Sequence, residues 1–294
     1  MLVVCAVCVP LIIGATPAAQ AGDLAARGGG PRGVSPRGDI TLTVFAAASL
    51  NEVFRQAAGE FTAANPGTSF LFNFAGSQQL SQQINLGARA DLFAPADMRQ
   101  MRAAGAMMDS SSIRVFARNR LVVVVPASPA RNVRRLSDLG AQGVKIVLAA
   151  RAVPAGEYAL QFLGKCGEDP EFPGDFRSAV SRNVVSYEEN VRAVLAKVVL
   201  AEADAGVVYV TDAASVATHG VDTIDIPQRL NVIAEYPVGR TRESTHPAVA
   251  ERFIQFLISP RGQEILEKAG FTRAVSAPGS SKAKSSAPEI RPHE

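Results

Sequence analysis

Apolar positions along this chain alternate between two periods, one typical of strands and one of helices. Ile40 to Ala46 reads as a strand, after which Leu50, Val53, Phe54, Ala57 and Phe61 recur at helical spacing. Ser69 to Phe74 predicts a second strand, a short helix carrying Leu80 and Ile84 follows, and Asp91 to Ala94 predicts a third strand. A helix over Met98–Ala104 is expected to stop at Gly105, a residue suited to the C′ position. Leu121–Val125, Val144–Ala149 and Gly206–Val210 are continuous apolar runs, the pattern of strands buried on both faces. Helices are predicted over Ala155–Leu163, Glu188–Val199, Pro247–Ser259 and Arg261–Ala269. Strands alternating with helices favour an α/β architecture over a sandwich or a bundle.

Both ends depart from that pattern. Leu2 to Ile13 is apolar but shorter than the ~20 residues of a membrane span. Ala19-Gln20-Ala21 then offers small residues around a cleavage point, so residues 1–21 read as an export signal, although no Lys or Arg precedes the apolar run. Residues 22–39, centred on Gly28-Gly29-Gly30-Pro31, and 275–294, rich in Ser, Ala, Lys and Pro, predict a disordered leader and tail. The folded unit expected is about 39–274, in an exported protein of the periplasm or the extracellular space.

Composition excludes several classes. With 47% hydrophobic residues in a chain of 294, there is material for one large core or two smaller ones. A formal net charge of +3, with the signs interspersed and no basic stripe carrying aromatics, argues against a nucleic-acid partner. Cys5 and Cys8 lie in the export signal, which leaves Cys166 without an internal disulfide partner, and no histidine pattern accompanies it as it would a nucleophile. His219, His246 and His293 share no metal-ligand spacing, and no Gly-x-Ser-x-Gly elbow or phosphate loop is present. No catalytic residue, direct metal ligand or cofactor is therefore expected.

The informative feature is what stands where strands give way to helices. Ser49 after Phe45-Ala46-Ala47-Ala48 and Ser77 after Ala75-Gly76 occupy expected N-cap positions. Pro154-Ala155-Gly156 opens one helix, with proline where a missing N–H costs nothing, and Asn190-Val191 opens another. Each helix start leaves free N–H groups and the positive dipole end outward. Several converging would cage a dianion with neutral donors, while the small residues beside them let a ligand approach the backbone.

The ordered set of segments resembles the periplasmic molybdate-binding proteins of ABC transporters over residues 40–273. The matching segments are Val44-Phe45-Ala46-Ala47-Ala48-Ser49-Leu50, Phe74-Ala75-Gly76-Ser77, Gly87-Ala88-Arg89-Ala90-Asp91-Leu92-Phe93 and Asn119-Arg120-Leu121 through Pro126. They continue with Val153-Pro154-Ala155-Gly156-Glu157-Tyr158-Ala159, Asn190-Val191-Arg192, Gly206-Val207-Val208-Tyr209 through Ala213, Glu235-Tyr236-Pro237-Val238 and Gly270-Phe271. The resemblance implies a two-lobed periplasmic-binding-protein-like fold of type II, each lobe a mixed β-sheet flanked by helices. Lobe I would comprise 40–118 and 237–274, and lobe II 119–236, joined by strands near Leu121–Val125 and Val232–Val238. It implies oxyanion contacts from Ser49 and Ser77 through hydroxyl and N–H, from the Ala155 and Val191 N–H groups, and from the Tyr209 hydroxyl. The ligand implied is molybdate or tungstate, the partners are the membrane subunits of an ABC transporter, and the protein is expected to be a monomer. One departure is Gly239-Arg240-Thr241-Arg242, in place of the family's apolar run, which predicts that the last hinge strand ends early.

A fully ionised tetrahedral oxyanion only accepts hydrogen bonds, whereas hydrogen phosphate brings a proton that needs an acceptor. None of the five implied positions is Asp or Glu, which argues against phosphate. The alternatives that remain are sulfate or another oxyanion on the same fold, and, with less support, an exported hydrolase.

Overall fold

The computed structural model describes residues 40–216 and 220–274. The expected export signal, leader and tail, together with His219 and His293, lie outside them. The chain opens with β1 (Ile40–Ala47), α1 (Asn51–Ala64), β2 (Thr68–Ala75), α2 (Ser77–Asn85), β3 (Leu92–Ala94) and α3 (Met98–Ala103). β1 pairs in parallel with β2 on one side, Ile40 opposite Thr68 through Ala47 opposite Ala75, and with β3 on the other. This half-sheet is covered on both faces, because β1 alternates its apolar side chains. Leu42 and Val44 face Phe54 of α1 in the main core, whereas Phe45 joins Leu80, Ile84, Phe93 and Met101 in a second cluster under α2 and α3.

The chain then enters β4 (Arg114–Pro126), a 13-residue strand that belongs to two neighbourhoods. Next come β5 (Ile146–Ala149), α4 (Pro154–Glu168), α5 (Phe176–Asn183), β6 (Val184–Glu188), α6 (Val191–Val199), β7 (Ala205–Tyr209), a short α7 (Val210–Ala214) and β8 (Val221–Asp225). β9 (Ile233–Arg240), α8 (Pro247–Ile258), α9 (Pro260–Lys268) and β10 (Thr272–Arg273) complete it. The first half of β4 pairs antiparallel with β9, Arg114 opposite Val238 through Arg120 opposite Ile233. Its second half pairs with β7 and β8, Leu121 opposite Tyr209 and Val122 opposite Asp225. β9 in turn reaches β3. The strand order is therefore β2-β1-β3-β9-β4-β7-β5-β6, two half-sheets joined where β4 and β9 run from one into the other.

Late segments close the first half-sheet. Phe253 of α8 meets Phe61 edge-on at 5.3 Å and Phe54 at 6.1 Å, fastening a helix near the end of the folded chain onto its first helix. Each buried phenylalanine contributes ~1.5–3 kcal/mol through removal of apolar surface from water, so this cluster sets how firmly α8 is held.

Four local expectations are corrected. β9 does not end early: Gly239 and Arg240 pair with Phe93 and Leu92, and Arg240 forms an ion pair with Asp109. The absent side chain at Gly239 is what packing there requires, since a Cβ would sit 3.0 Å from Ile113 and 3.2 Å from Met108. Gly105 is not a left-handed stop; α3 ends at Ala103 and Gly105 opens a 3-10 turn without positive φ. The helix expected from Glu188 starts at Val191, because Glu188 is the last residue of β6. The Gly206–Val210 strand is Ala205–Tyr209, and Val210 already belongs to α7.

Candidate functional site

All five expected site residues stand just past, or at, the carboxyl end of a strand. Ser49 follows β1, Ser77 follows β2, Ala155 follows β5, Val191 follows β6, and Tyr209 is the last residue of β7. In open α/β sheets that end is where ligands bind, because helix starts gather there. The five are buried and line a common cavity of about 10 Å³, together with Ala47, Ala48, Ala75, Gly76 and Asn190 among others. No lining residue is charged.

The local sequence explains why the helix starts lining this cavity carry N–H groups outside the intrahelical ladder. In α4 the first intrahelical bond runs from Glu157 N to Val153 O, which leaves the Ala155 and Gly156 N–H groups before it. In α2 the first is Gln79 N to Gly76 O, ahead of which stand Ser77 and Gln78. Asn190 caps α6 by accepting from Ala193 N at 3.0 Å, so Val191 and Arg192 precede the capped turn. Gly156 has a steric reason: a Cβ there would strike the backbone of Ala149 and Ala150, which pins α4 against the end of β5.

The two serines are not the caps expected of them. Leu50 caps α1 and Gly76 caps α2, neither through its side chain, and Ser77 is already the first helical residue. Their hydroxyls are engaged elsewhere. Ser77 Oγ accepts from Ala96 N at 3.0 Å, and Ser49 Oγ lies 3.0 Å from the Tyr236 hydroxyl.

Tyr209 is the outlier in polarity. Its hydroxyl is buried and has no hydrogen-bond partner among the described residues. Burial, with the neighbouring Tyr236 and Tyr158, pushes the phenol well above its ordinary pKa, so it stays a neutral donor. An unmet buried hydroxyl costs ~1–3 kcal/mol, which a ligand acceptor in the cavity would recover. Behind Tyr209, Asp212 accepts from its backbone N–H at 3.2 Å. Burial pushes the Asp212 carboxyl up to about 6 against the opposing pull of Arg192, whose Nε lies 2.9 Å away.

Sequence reasoning missed the contacts that tie the two sides of the cavity together. Gln78 Nε2 donates to Glu189 O at 2.9 Å and Gln79 Nε2 to Glu189 Oε2 at 3.0 Å. Arg99 and Gln100 both donate to Ala152 O, and Arg192 pairs with Glu52. Arg192 and Tyr236 were visible only as parts of the Asn190-Val191-Arg192 and Glu235-Tyr236-Pro237-Val238 segments; nothing local to Glu52 marks it. Cys166 is a buried thiol pushed up to about 12 by burial, unsuited to nucleophilic attack. Among the described residues no cluster of His, Cys, Asp and Glu could hold a metal ion, and no helix is long and apolar enough to cross a membrane.

The family of bacterial extracellular solute-binding proteins matches residues 42–272. The molybdate-binding protein ModA of Mycobacterium tuberculosis H37Rv is 35% identical over 238 residues, 81% of this chain and 86% of that protein. Among solved structures, the periplasmic molybdate-binding protein of Azotobacter vinelandii superposes with a TM-score of 0.67 at 20% identity, covering 79% of this chain and 98% of that one. The sulfate-binding protein SubI of Mycobacterium tuberculosis H37Rv gives 0.71 at 19% identity, covering 80% and 87%. The fold is thus common to proteins named for different oxyanions, and the sequence likeness falls on the molybdate side. The chain belongs to the bacterial extracellular solute-binding proteins.

Proposed function

We propose that this chain captures molybdate, and tungstate with it, by closing two lobes over the oxyanion, and delivers it to the membrane subunits of an ABC transporter. In this reading Ser49 and Ser77 give hydroxyl and backbone donors, Ala155 and Val191 give backbone N–H groups, and Tyr209 gives its phenolic proton. Lobe I is 40–118 with 237–274 and lobe II is 119–236, so the first two donors and the last three approach from opposite sides. The protein works as an exported monomer after cleavage near Ala21, without cofactor or catalytic step.

The observation that carries the reading is the Tyr209 hydroxyl, a buried donor lacking an acceptor on the wall of an uncharged cavity. The sequence likeness to a protein named for molybdate binding supports the choice of cargo. The cavity is small and uncharged and is lined by small residues and helix starts, which supports a compact oxyanion over sugars, amino acids and peptides. Hydrogen bonds to a charged ligand are worth ~1.5–3 kcal/mol each, and about five to seven, less the costs of association and closure, leave about 8–10 kcal/mol. That corresponds to micromolar to sub-micromolar affinity.

Calorimetric titration of the purified protein with molybdate, tungstate, sulfate and phosphate tests the proposal. Molybdate and tungstate should bind at or below micromolar concentration and far more tightly than the other two. Absence of molybdate binding, or tighter binding of sulfate, would refute it.

A further inference from the structure

Two glutamines that do not line the cavity, Gln79 and Gln100, each have one end of the side-chain amide tied on their own side of it and the other end tied across it. Gln79 Oε1 accepts from Gly76 N at 3.1 Å, and its Nε2 donates to Glu189 Oε2 at 3.0 Å. That orientation is forced, because a backbone N–H can only donate and a carboxylate can only accept. Gln100 Nε2 donates to Ala152 O at 3.2 Å, which turns its Oε1 toward Ser81 Oγ at 2.9 Å. Gln100 is also held by its backbone, which donates to Asp97 Oδ1 at 2.7 Å, and the residue is buried. Glu189 immediately precedes Asn190, the cap of α6, and Ala152 immediately precedes Val153, the cap of α4. Gly76 caps α2, on which Ser77 and Ser81 both lie. The two side chains therefore connect the helix that carries Ser77 with the starts of those that carry Val191 and Ala155.

We propose that Gln79 and Gln100 are positioning residues whose preset amides grip the chain just ahead of α6 and α4, and so hold the Val191 and Ala155 donors at a fixed reach from Ser77. This rests on the reading of the cavity as an oxyanion site closed between two lobes. Each amide oxygen is bound inside lobe I, so the amide N–H groups already point outward when the lobes part, and closure orders these side chains little further. Gln78 and Arg99 reinforce the same two grips, on Glu189 O at 2.9 Å and Ala152 O at 3.1 Å. The open state makes none of these bonds, so first encounter with the ligand does not depend on them. In the closed state each must break before the ligand leaves, which places their effect on release rather than capture.

An exchange of partners at the more exposed grip tests this. Gln79→Glu keeps an oxygen for Gly76 N–H but sets a carboxylate against that of Glu189. Adding Glu189→Gln returns one donor and one acceptor to the pair and restores the net charge. Molybdate association and release are followed by stopped-flow tyrosine fluorescence in about 0.2 M salt, which screens the added charge from the ion, with ligand-free melting alongside. Gln79→Glu should release molybdate about fivefold faster, with association within about twofold and melting unchanged, and the double variant should release within about twofold of wild type. Gln100→Met, which keeps the length of the side chain without its amide, should also speed release about fivefold. Release at the wild-type rate in Gln79→Glu or Gln100→Met overturns the proposal, as does a double variant no slower than the single. Faster release that comes with early melting of the ligand-free protein overturns it too, since that is only structural support. Failure of the wild type to bind molybdate would instead strike the functional reading beneath it.

Discussion

Gly76→Ala separates closure of the two lobes from stability of either one. Gly76 has φ −59° and ψ 134°, a conformation alanine adopts freely, so the substitution does not strain the first lobe by itself. The difficulty lies across the cleft. A Cβ at this position would sit 2.5 Å from the backbone oxygen of Glu189. Moving that contact to the 3.4 Å of ordinary van der Waals approach means parting the two backbones by about 0.9 Å. The Gln78 side-chain atoms that also crowd the site, at 2.6 and 2.7 Å, can swing away, but the Glu189 carbonyl is main chain at the entrance to α6.

A separation of that size stretches every hydrogen bond that reaches the ligand from the far side, and it breaks those from Gln78 and Gln79 to Glu189. Degrading one or two bonds to a charged ligand costs ~1.4–2.7 kcal/mol, which raises the Kd about 10- to 100-fold. Because only the closed state is penalised, the ligand-free melting temperature should stay within about a degree of wild type. Gly59→Ala is the control: nothing lies within 4 Å of its Cβ, and it sits inside α1, where alanine gains up to about 1 kcal/mol over glycine. That control should melt later and bind normally. Calorimetry and thermal melting on the three proteins decide the matter. A Gly76→Ala protein that binds molybdate within twofold of wild type, or that unfolds several degrees early without ligand, refutes the reasoning.

Three further outcomes follow from named contacts. Tyr209→Phe should weaken molybdate binding about 10- to 150-fold by calorimetry, yet leave ligand-free stability unchanged or higher, because the hydroxyl removed has no partner among the described residues. Glu52→Gln removes one side of the pair with Arg192. Since the Glu52 side chain is 57% exposed, the ligand off-rate in stopped-flow should rise by at most about fivefold, an effect that shrinks in high salt. Asp212→Asn tests the raised carboxyl: with about 6 in the folded protein against 3.8 in the open chain, the folded state binds the extra proton between those values. Wild type should therefore lose on the order of 3 kcal/mol relative to the variant as pH rises from about 4 to 6, and nothing more above it; a pH-independent difference in denaturant midpoints would refute the assignment.

What the sequence made legible divides by distance along the chain. The main strands and helices around the site were readable because their period is local, as were Ala155 and Val191, whose N–H groups are free for the same local reason that a helix begins there. Tyr209 came from family resemblance, since a tyrosine closing an apolar strand otherwise reads as core. Unread were β6, α5 and β8, short elements with little periodic apolar content: Tyr187 and Val185 of β6 are 56% and 58% exposed. The early end expected for β9 failed because pairing with β3, across the sheet, overrides the polar local run Gly239-Arg240. The same distinction governs the site. Ser49 is marked by its neighbours, but the partner of its hydroxyl, Tyr236, is 187 residues away, and the ion pair across the cavity joins Glu52 and Arg192, 140 residues apart. Which helix starts line the cavity is thus written in local spacing, whereas Tyr209 is not. How firmly the two sides of the cavity are held together is written in pairs that only the folded chain brings together, so substitutions at those distant partners should change the ligand off-rate while the donors themselves stay in place.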